Sequence, residues 1–230
     1  QIYVQSPFPK ENRRILIGSD VSSRYTRRNR AEYRKIAGYI ARCVWQRQGN
    51  YMVFFPSYRL MEDVLQVYEE EFSVDWVRCV CQTPDMTEQE REGFLEEFQE
   101  REGTLVGFCV LGGIFSEGVD LTGESLIGAV IVGTGLPQIG SQREILKEYY
   151  DKKNHCGFDY AYRYPGMNKV LQAAGRVIRT KEDKGVILLL DDRFWDRDYQ
   201  EIFPREWQDR TGCRLDTVEG AVETFWKRFT

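Results

Sequence analysis

Three short segments of the chain carry residue types that could bind phosphate groups or a nucleotide. In the first, residues 112–120, three glycines stand among Ser116, Glu117 and Asp120. Glycine allows a positive φ and lets the backbone approach a ligand closely, while the hydroxyl and carboxyl groups could contact a ribose or a cation. Taken alone, the segment is equally typical of a glycine-rich turn with polar caps. Both interpretations stay open at this point.

The second segment, residues 172–179, reads Gln-Ala-Ala-Gly-Arg-Val-Ile-Arg. On a helix, positions 172, 176 and 179 lie within roughly 60° of one another. We therefore expect one stripe to present the Gln172 amide with the guanidinium groups of Arg176 and Arg179. Forked guanidinium donors suit a polyphosphate. The alternative is a solvated helix face whose arginines pair with Glu182 or Asp183.

The third segment, residues 51–58, is an apolar stretch that ends in Phe-Pro-Ser-Tyr. Ser57 is a typical N-cap of the helix that should follow. Its hydroxyl and the backbone N–H groups at the helix start would also suit a phosphate. The neighbouring Tyr58, together with Phe115 of the first segment, could stack on nucleic-acid bases. The alternative for Phe115 is a place in the hydrophobic core.

Apolar runs and amphipathic helical patterns alternate around these segments. Uniformly apolar strands that are each followed by a helix predict an α/β fold, a parallel sheet with helices on both faces. We expect one domain over residues 1–230, with a linking segment at 1–29, a core at 30–194 and an extension at 195–230. The predicted strands are 51–55, 77–81, 105–111, 128–133 and 185–190, and the predicted helices include 30–48, 87–100, 141–152, 168–179 and 217–227.

Composition narrows the class of protein. The 230 residues are 42% hydrophobic and 30% charged with a net charge of −4, which argues against a disordered chain and against binding by bulk positive charge. No apolar run approaches the roughly 20 residues of a membrane span. Six scattered cysteines and a single histidine do not suggest a metal site, and they indicate a reducing compartment. Because the chain begins at Gln1, we expect a piece of a longer protein.

The composition does not exclude a local basic surface that binds nucleic acid. Five arginines lie close together in the sequence, and they are either a nucleic-acid contact or a solvated helix start: Arg24, Arg27, Arg28, Arg30 and Arg34.

No Gly-Lys dipeptide occurs in the chain, so it contains no P-loop. Residues 186–192 look like the apolar strand and acidic pair that hold Mg²⁺ in ATPases, but without a P-loop that interpretation is set aside.

In this order, the segments resemble the second RecA-like motor lobe of superfamily 2 helicases, in the DinG/XPD-like branch and most closely the bacterial DinG type. Residues 51–58 are similar to motif IV and residues 112–120 to motif V, and residues 172–179 match the Q-x-x-G-R-x-x-R pattern of motif VI. Residues 160–169 and 190–194 also resemble this branch. The resemblance implies the C-terminal lobe of a P-loop NTPase-type helicase, cytoplasmic and involved in DNA repair.

The resemblance also implies roles for individual residues. ATP would bind between two lobes, with Arg176 and Arg179 as arginine fingers and Gln172 near the γ-phosphate. The expected partners are single-stranded DNA and the first lobe of the same parent chain, which would bind most of the ATP and Mg²⁺. The remaining candidates are Glu117, Gly118 and Asp120 for the nucleotide, and Ser57, Tyr58 and Ser116 for nucleic acid.

The chain departs from the complete family pattern because the P-loop and the D-E-x-H box of the first lobe are absent from it. We therefore expect this chain alone neither to hydrolyse ATP nor to unwind DNA. Two other functions stay open. One is a nucleic-acid-binding α/β module without enzymatic activity, and the other is a metabolite-binding α/β domain, for which the usual glycine-rich first turn is missing.

Overall fold

The computed structural model describes residues 9–99, 103–115 and 126–230. Within them, seven parallel strands form one sheet in the order β3-β4-β2-β5-β6-β1-β7. The predicted α/β architecture with a parallel sheet is confirmed. The strands are β1 (Arg13–Gly18), β2 (Asn50–Phe55), β3 (Val77–Cys81), β4 (Thr104–Val110), β5 (Gly128–Val132), β6 (Gly185–Leu190) and β7 (Thr211–Cys213).

Helices cover both faces of the sheet. Alternate residues of β2 point to opposite faces, so that Tyr51 and Val53 join one buried cluster while Met52 and Phe54 join the other. The first cluster lies under α1, α2 and α7, and the second under α3 and α5. The helices are α1 (Arg30–Val44), α2 (Tyr58–Glu71), α3 (Glu88–Glu96), α4 (Ser141–Asn154), α5 (Tyr164–Ala174), α6 (Arg197–Gln200) and α7 (Val218–Trp226).

The segments near the two ends of the chain supply strands to the sheet. The interpretation of residues 1–29 as a linking segment missed β1, which lies between β6 and β7 and buries Leu16 and Ile17 completely. Its apolar run is short and follows Arg13 and Arg14, which hid the strand in the sequence. The segment 195–230 supplies β7 and α7, and α7 contacts both α1 and β1.

The helix predicted over residues 168–179 ends earlier than expected. α5 stops at Ala174, with Gly175 as its C-cap, and the chain continues in a turn in which the Arg176 N–H donates to the Ala173 carbonyl. Val177 is fully buried and packs against Gly185 at the start of β6. The prediction of one helical stripe through residues 172, 176 and 179 was therefore wrong.

A buried ion pair closes the carboxyl end of β6. The Asp191 side chain is fully buried and accepts hydrogen bonds from the Ser23 backbone N–H (2.9 Å), the Ser23 hydroxyl (2.6 Å) and the Arg193 guanidinium (2.7 and 2.9 Å). These contacts tie the loop after β1 to the loop after β6. The carboxylate that resembled a Mg²⁺ ligand is thus committed to an internal network.

The helices in the described part of the chain include none that is long and apolar enough to cross a membrane.

Candidate nucleotide and nucleic-acid interface

The motif VI segment lies where α5 ends. Gln172 is exposed on the last turn of the helix, Arg176 is half-buried in the turn that follows, and Arg179 is exposed in the next loop. The Asp183 carboxylate accepts hydrogen bonds from the backbone N–H groups of Arg179 (2.8 Å) and Thr180 (2.6 Å), which fixes the path of this loop. The three candidate side chains are near in sequence but belong to a helix, a turn and a loop.

This segment lies at the amino edge of the sheet, where the strands begin. Val177 packs against Gly185, the first residue of β6, and the Asn12 amide donates to the Lys181 carbonyl (2.8 Å) just before β1. Ser57 and Tyr58 instead follow the carboxyl end of β2. The structure therefore places the motif VI residues Gln172, Arg176 and Arg179 toward one edge of the sheet, and Ser57 and Tyr58 at the opposite edge.

Ser57 is the N-cap of α2. Its hydroxyl accepts a hydrogen bond from the Leu60 backbone N–H (3.3 Å), as the sequence predicted. The side chain is half-buried, as is Tyr58 beside it. Capping uses one lone pair of the hydroxyl oxygen and leaves its proton available to another acceptor. The structural role is established, and the predicted contact with nucleic acid stays a prediction.

Gln82 joins the motif IV and motif V segments, and sequence reasoning missed it. This buried side chain donates from Nε2 to the Tyr58 hydroxyl (3.0 Å) and accepts at Oε1 from the Val110 backbone N–H (3.0 Å). Burial raises the pKa of Tyr58, which keeps the phenol protonated at neutral pH. The available signal was a polar residue directly after an apolar strand, at the carboxyl edge where Ser57 and Gly112 also lie.

The described part of motif V is a tight turn after β4. Gly112 has a positive φ of 71°, and the Gly113 N–H donates to the Val110 carbonyl (3.1 Å). Phe115 is buried and its ring stacks on Phe94 with 4.3 Å between centroids, so of the two alternatives for this residue the place in the hydrophobic core is the correct one. Ser116, Glu117, Gly118 and Asp120 lie outside the described residues.

Four of the five arginines near the start of α1 lie close to carboxylates of the same chain. Arg30 bonds to Glu70 (2.7 Å) and Glu71 (3.1 Å), and Arg34 also bonds to Glu71. Arg27 lies 3.7 Å from Glu32 and Arg24 lies 3.7 Å from Asp192, while the Arg28 guanidinium lies over the Tyr25 ring. These contacts favour the interpretation of the run as a solvated helix start.

The described residues contain no cluster of side chains that could bind a metal ion. Across residues 9–99, 103–115 and 126–230, no three His, Cys, Asp or Glu side chains lie close enough together to hold a metal ion. The six cysteines are free thiols, and burial raises the pKa of Cys43 to about 12. A thiol with so high a pKa stays protonated and is a poor metal ligand.

The family model for the helicase C-terminal domain matches residues 40–210, which include all three motif segments. The chain belongs to this family. Its relatives place this helicase C-terminal domain in the XPD/DinG-like branch of superfamily 2, and the narrower DinG type stays a prediction. It is 29% identical over 206 residues to a probable ATP-dependent helicase of Methanocaldococcus jannaschii, and 30% identical over 189 residues to the ATP-dependent DNA helicase XPD of Sulfolobus acidocaldarius.

Solved structures agree on the fold of this helicase C-terminal domain. An XPD helicase structure covers 87% of the chain with a TM-score of 0.68 at 24% identity, and the C-terminal domain of the DEAD-box protein Dbp5 covers 95% with a TM-score of 0.51 at 13% identity. The RecA-like fold is thereby confirmed. The two curated relatives match over 85% and 77% of this chain, which spans 31% of the length of each.

Proposed function

We propose that this chain is the second motor lobe of an ATP-dependent DNA helicase and works with a first lobe that carries the P-loop. Membership of the helicase C-terminal family supports the proposal, as does its similarity to relatives named as ATP-dependent helicases. The observation that carries it is the motif VI segment, which spans the end of α5 with an exposed Gln172, a half-buried Arg176 and an exposed Arg179.

Gln172, Arg176 and Arg179 would contact the nucleotide from this side of the cleft. An amide and two guanidinium groups fit phosphate oxygens, because guanidinium donors form charge-assisted hydrogen bonds in a fixed geometry. Glu117, Gly118 and Asp120 would contribute from motif V. Hydrolysis of ATP would supply the free energy for movement along the strand. We assign the ligands of Mg²⁺ and the P-loop contacts to the first lobe.

The arginines would act on charge that develops during phosphoryl transfer. A guanidinium held beside the transferring group stabilises the transition state more than the bound substrate, so that its loss lowers kcat more than nucleotide affinity. Arg176 is half-buried, which limits its conformations before the lobes close. Arg179 is held at its backbone by Asp183. Both are therefore partly positioned by this lobe alone.

Ser57, Tyr58 and Ser116 would contact single-stranded DNA at the carboxyl edge. The Ser57 hydroxyl and the start of α2 suit phosphate oxygens, and the half-buried Tyr58 ring could support a base. Contacts of this kind fix the path of a strand without reading its sequence. The motif VI contacts with the nucleotide and the contacts with the strand would then lie on opposite edges of one sheet.

The test is Arg176→Ala in the full-length protein that carries this chain. We expect kcat for ATP hydrolysis to fall by roughly 10³–10⁵-fold, with affinity for a fluorescent ATP analogue little changed. Arg176→Lys should also have a low kcat, because an ammonium group cannot replace the forked donors of a guanidinium group. Arg197→Ala is the matched control, since Arg197 is exposed on α6 and bonds only to Glu201 among the described contacts. An unchanged kcat in Arg176→Ala would contradict the proposal.

A further inference from the structure

Lys169 lies against the motif V turn. Its side chain extends from the middle of α5 across Gly112, so closely that a Cβ on residue 112 would lie 2.8 Å from both Nζ and Cε of the lysine. Gly112 also has a left-handed φ of 71°. The left-handed backbone conformation favours glycine at this position, and the absence of a side chain leaves the room that the lysine occupies.

The ammonium group of Lys169 has no carboxylate partner among the residues that the structure describes. Other partly exposed lysines do: Lys35 lies 3.8 Å from Glu32, and Lys147 lies 3.8 Å from Glu144. Lys169 is half-buried, so part of its hydration shell is lost, and no carboxylate among the described residues compensates for that loss. Such a group is suited to an anion that arrives from outside.

The surroundings of Lys169 form a continuous row along the carboxyl edge. Gly112 follows β4, and Gln82 fixes the end of that strand by accepting from the Val110 N–H. The same Gln82 side chain holds the Tyr58 hydroxyl at the start of α2. The end of β4 before the Gly112 turn and Tyr58 are therefore linked through one buried amide, and the Lys169 ammonium lies against that turn.

We propose that Lys169 binds a phosphodiester group of single-stranded DNA where the strand passes the Gly112 turn on its way to Tyr58. The proposal rests on the proposed function. A phosphate of a nucleotide offers the same chemistry, and the motif V candidates Glu117, Gly118 and Asp120 follow the Gly112 turn in sequence, so the experiment measures both ligands. Arg176 and Arg179 lie at the opposite edge of the sheet, which favours the strand. A lysine is a compact point charge, which suits a phosphate that must be held in one step and released in the next.

Salt dependence of binding tests the assignment directly. Each phosphate neutralised on a single strand contributes about 0.7 to the slope of log K against log salt concentration. We would measure the fluorescence anisotropy of a labelled oligothymidylate with the full-length protein across a series of NaCl concentrations. Lys169→Gln should weaken binding and reduce the slope by about 0.7, while Lys169→Arg should retain the slope.

The matched control is Lys152→Gln, since Lys152 is exposed on α4 and has no ion pair among the described residues. It removes the same charge and should leave the slope unchanged. Thermal unfolding of each variant checks the fold. If Lys169→Gln is destabilised, Lys169→Met keeps the apolar stem and removes the charge, and the same loss of slope is expected.

Three results would overturn the inference in distinguishable ways. Wild-type slope and affinity in Lys169→Gln would refute the role of Lys169 and leave the proposed function standing. If Lys169→Gln loses affinity for a fluorescent ATP analogue and keeps the wild-type salt slope for the oligothymidylate, the phosphate that Lys169 binds belongs to the nucleotide and not to the strand. A wild-type protein that does not bind the oligothymidylate at any salt concentration would refute the inference and the DNA-binding part of the proposed function together.

Discussion

At the scale of single residues, Asp191 shows how one motif can mislead. Its sequence context resembles an acidic Mg²⁺ site, yet its oxygens accept from Ser23 and Arg193 inside the protein. Burial opposes the charge on Asp191, but the hydrogen bonds and charge of Arg193, with help from Ser23, lower the pKa of this carboxyl below its ordinary value. The residue holds two loops together at the carboxyl edge.

Asp191→Asn should destabilise the chain by about 3–5 kcal/mol, because it leaves the partly buried Arg193 without its counter-ion. Urea unfolding at neutral pH measures the effect. Asp196→Asn is the control: that carboxyl is exposed and lies 3.9 Å from Arg24, so its loss should change the free energy of unfolding by less than about 1 kcal/mol. Equal losses in the two variants would contradict a structural role specific to Asp191.

The same ion pair makes a prediction about pH. A carboxyl whose pKa is lower in the folded state adds stability above the pKa of the unfolded state, near 4, and this contribution disappears as the pH falls through the folded value. The difference in unfolding free energy between wild type and Asp191→Asn should therefore be constant at neutral pH and shrink in acid. A difference that is independent of pH down to acid unfolding would show that Asp191 is not ionised in the fold.

At the scale of elements, the sequence predicted the strands from β2 to β6 better than the strands near the two ends of the chain. β3 and β6 have the predicted bounds, and β6 is an unbroken apolar run because it is buried on both faces. β1 was missed because its short apolar run follows two arginines, and the end of α5 was missed because the predicted helix continued through Gly175, which is its C-cap. Both errors concern residues whose role depends on tertiary neighbours.

The residues of the candidate site also separate into those that the sequence predicted and those that it did not. The motif segments could be found from residue types and spacing, and Ser57 proved to be the predicted cap. The position of Gln82 after a strand was visible in the sequence, but its role was not, because its two hydrogen bonds join α2 to β4 and depend on the strand order. The two alternatives for Phe115 could not be separated, because an aromatic residue in a glycine-rich segment gives no sign of whether it faces the core.

The Ser57 cap can be separated from its proposed contact with DNA. Ser57→Ala should cost about 1 kcal/mol of stability, and in combination with Ser116→Ala it should weaken strand affinity and DNA-stimulated ATP hydrolysis with ATP binding nearly unchanged. Thr87→Ala is the matched control, since Thr87 caps α3 in the same manner, accepting from the Glu90 N–H. Unaltered strand affinity in the folded double variant would leave both serines with structural roles only.

At the scale of the whole molecule, the chain is a RecA-like lobe with two candidate binding edges. The amino edge carries Arg176 and Arg179, and the carboxyl edge carries Ser57, Tyr58 and Lys169. One sheet of seven parallel strands connects the two edges within the described residues. In our proposal, each edge supplies part of a site and the first lobe supplies the rest.

ATP turnover by this chain alone tests that central claim most directly. The purified 230-residue chain should fold as a monomer with feeble affinity for ATP and no hydrolysis above the buffer rate, whereas the full-length protein should hydrolyse ATP and lose that activity on Arg176→Ala. The phosphate released over time, with and without single-stranded DNA, is the measurement. Steady hydrolysis by the isolated chain that persists in Arg176→Ala would contradict the account, because the chain would then contain a complete active site elsewhere.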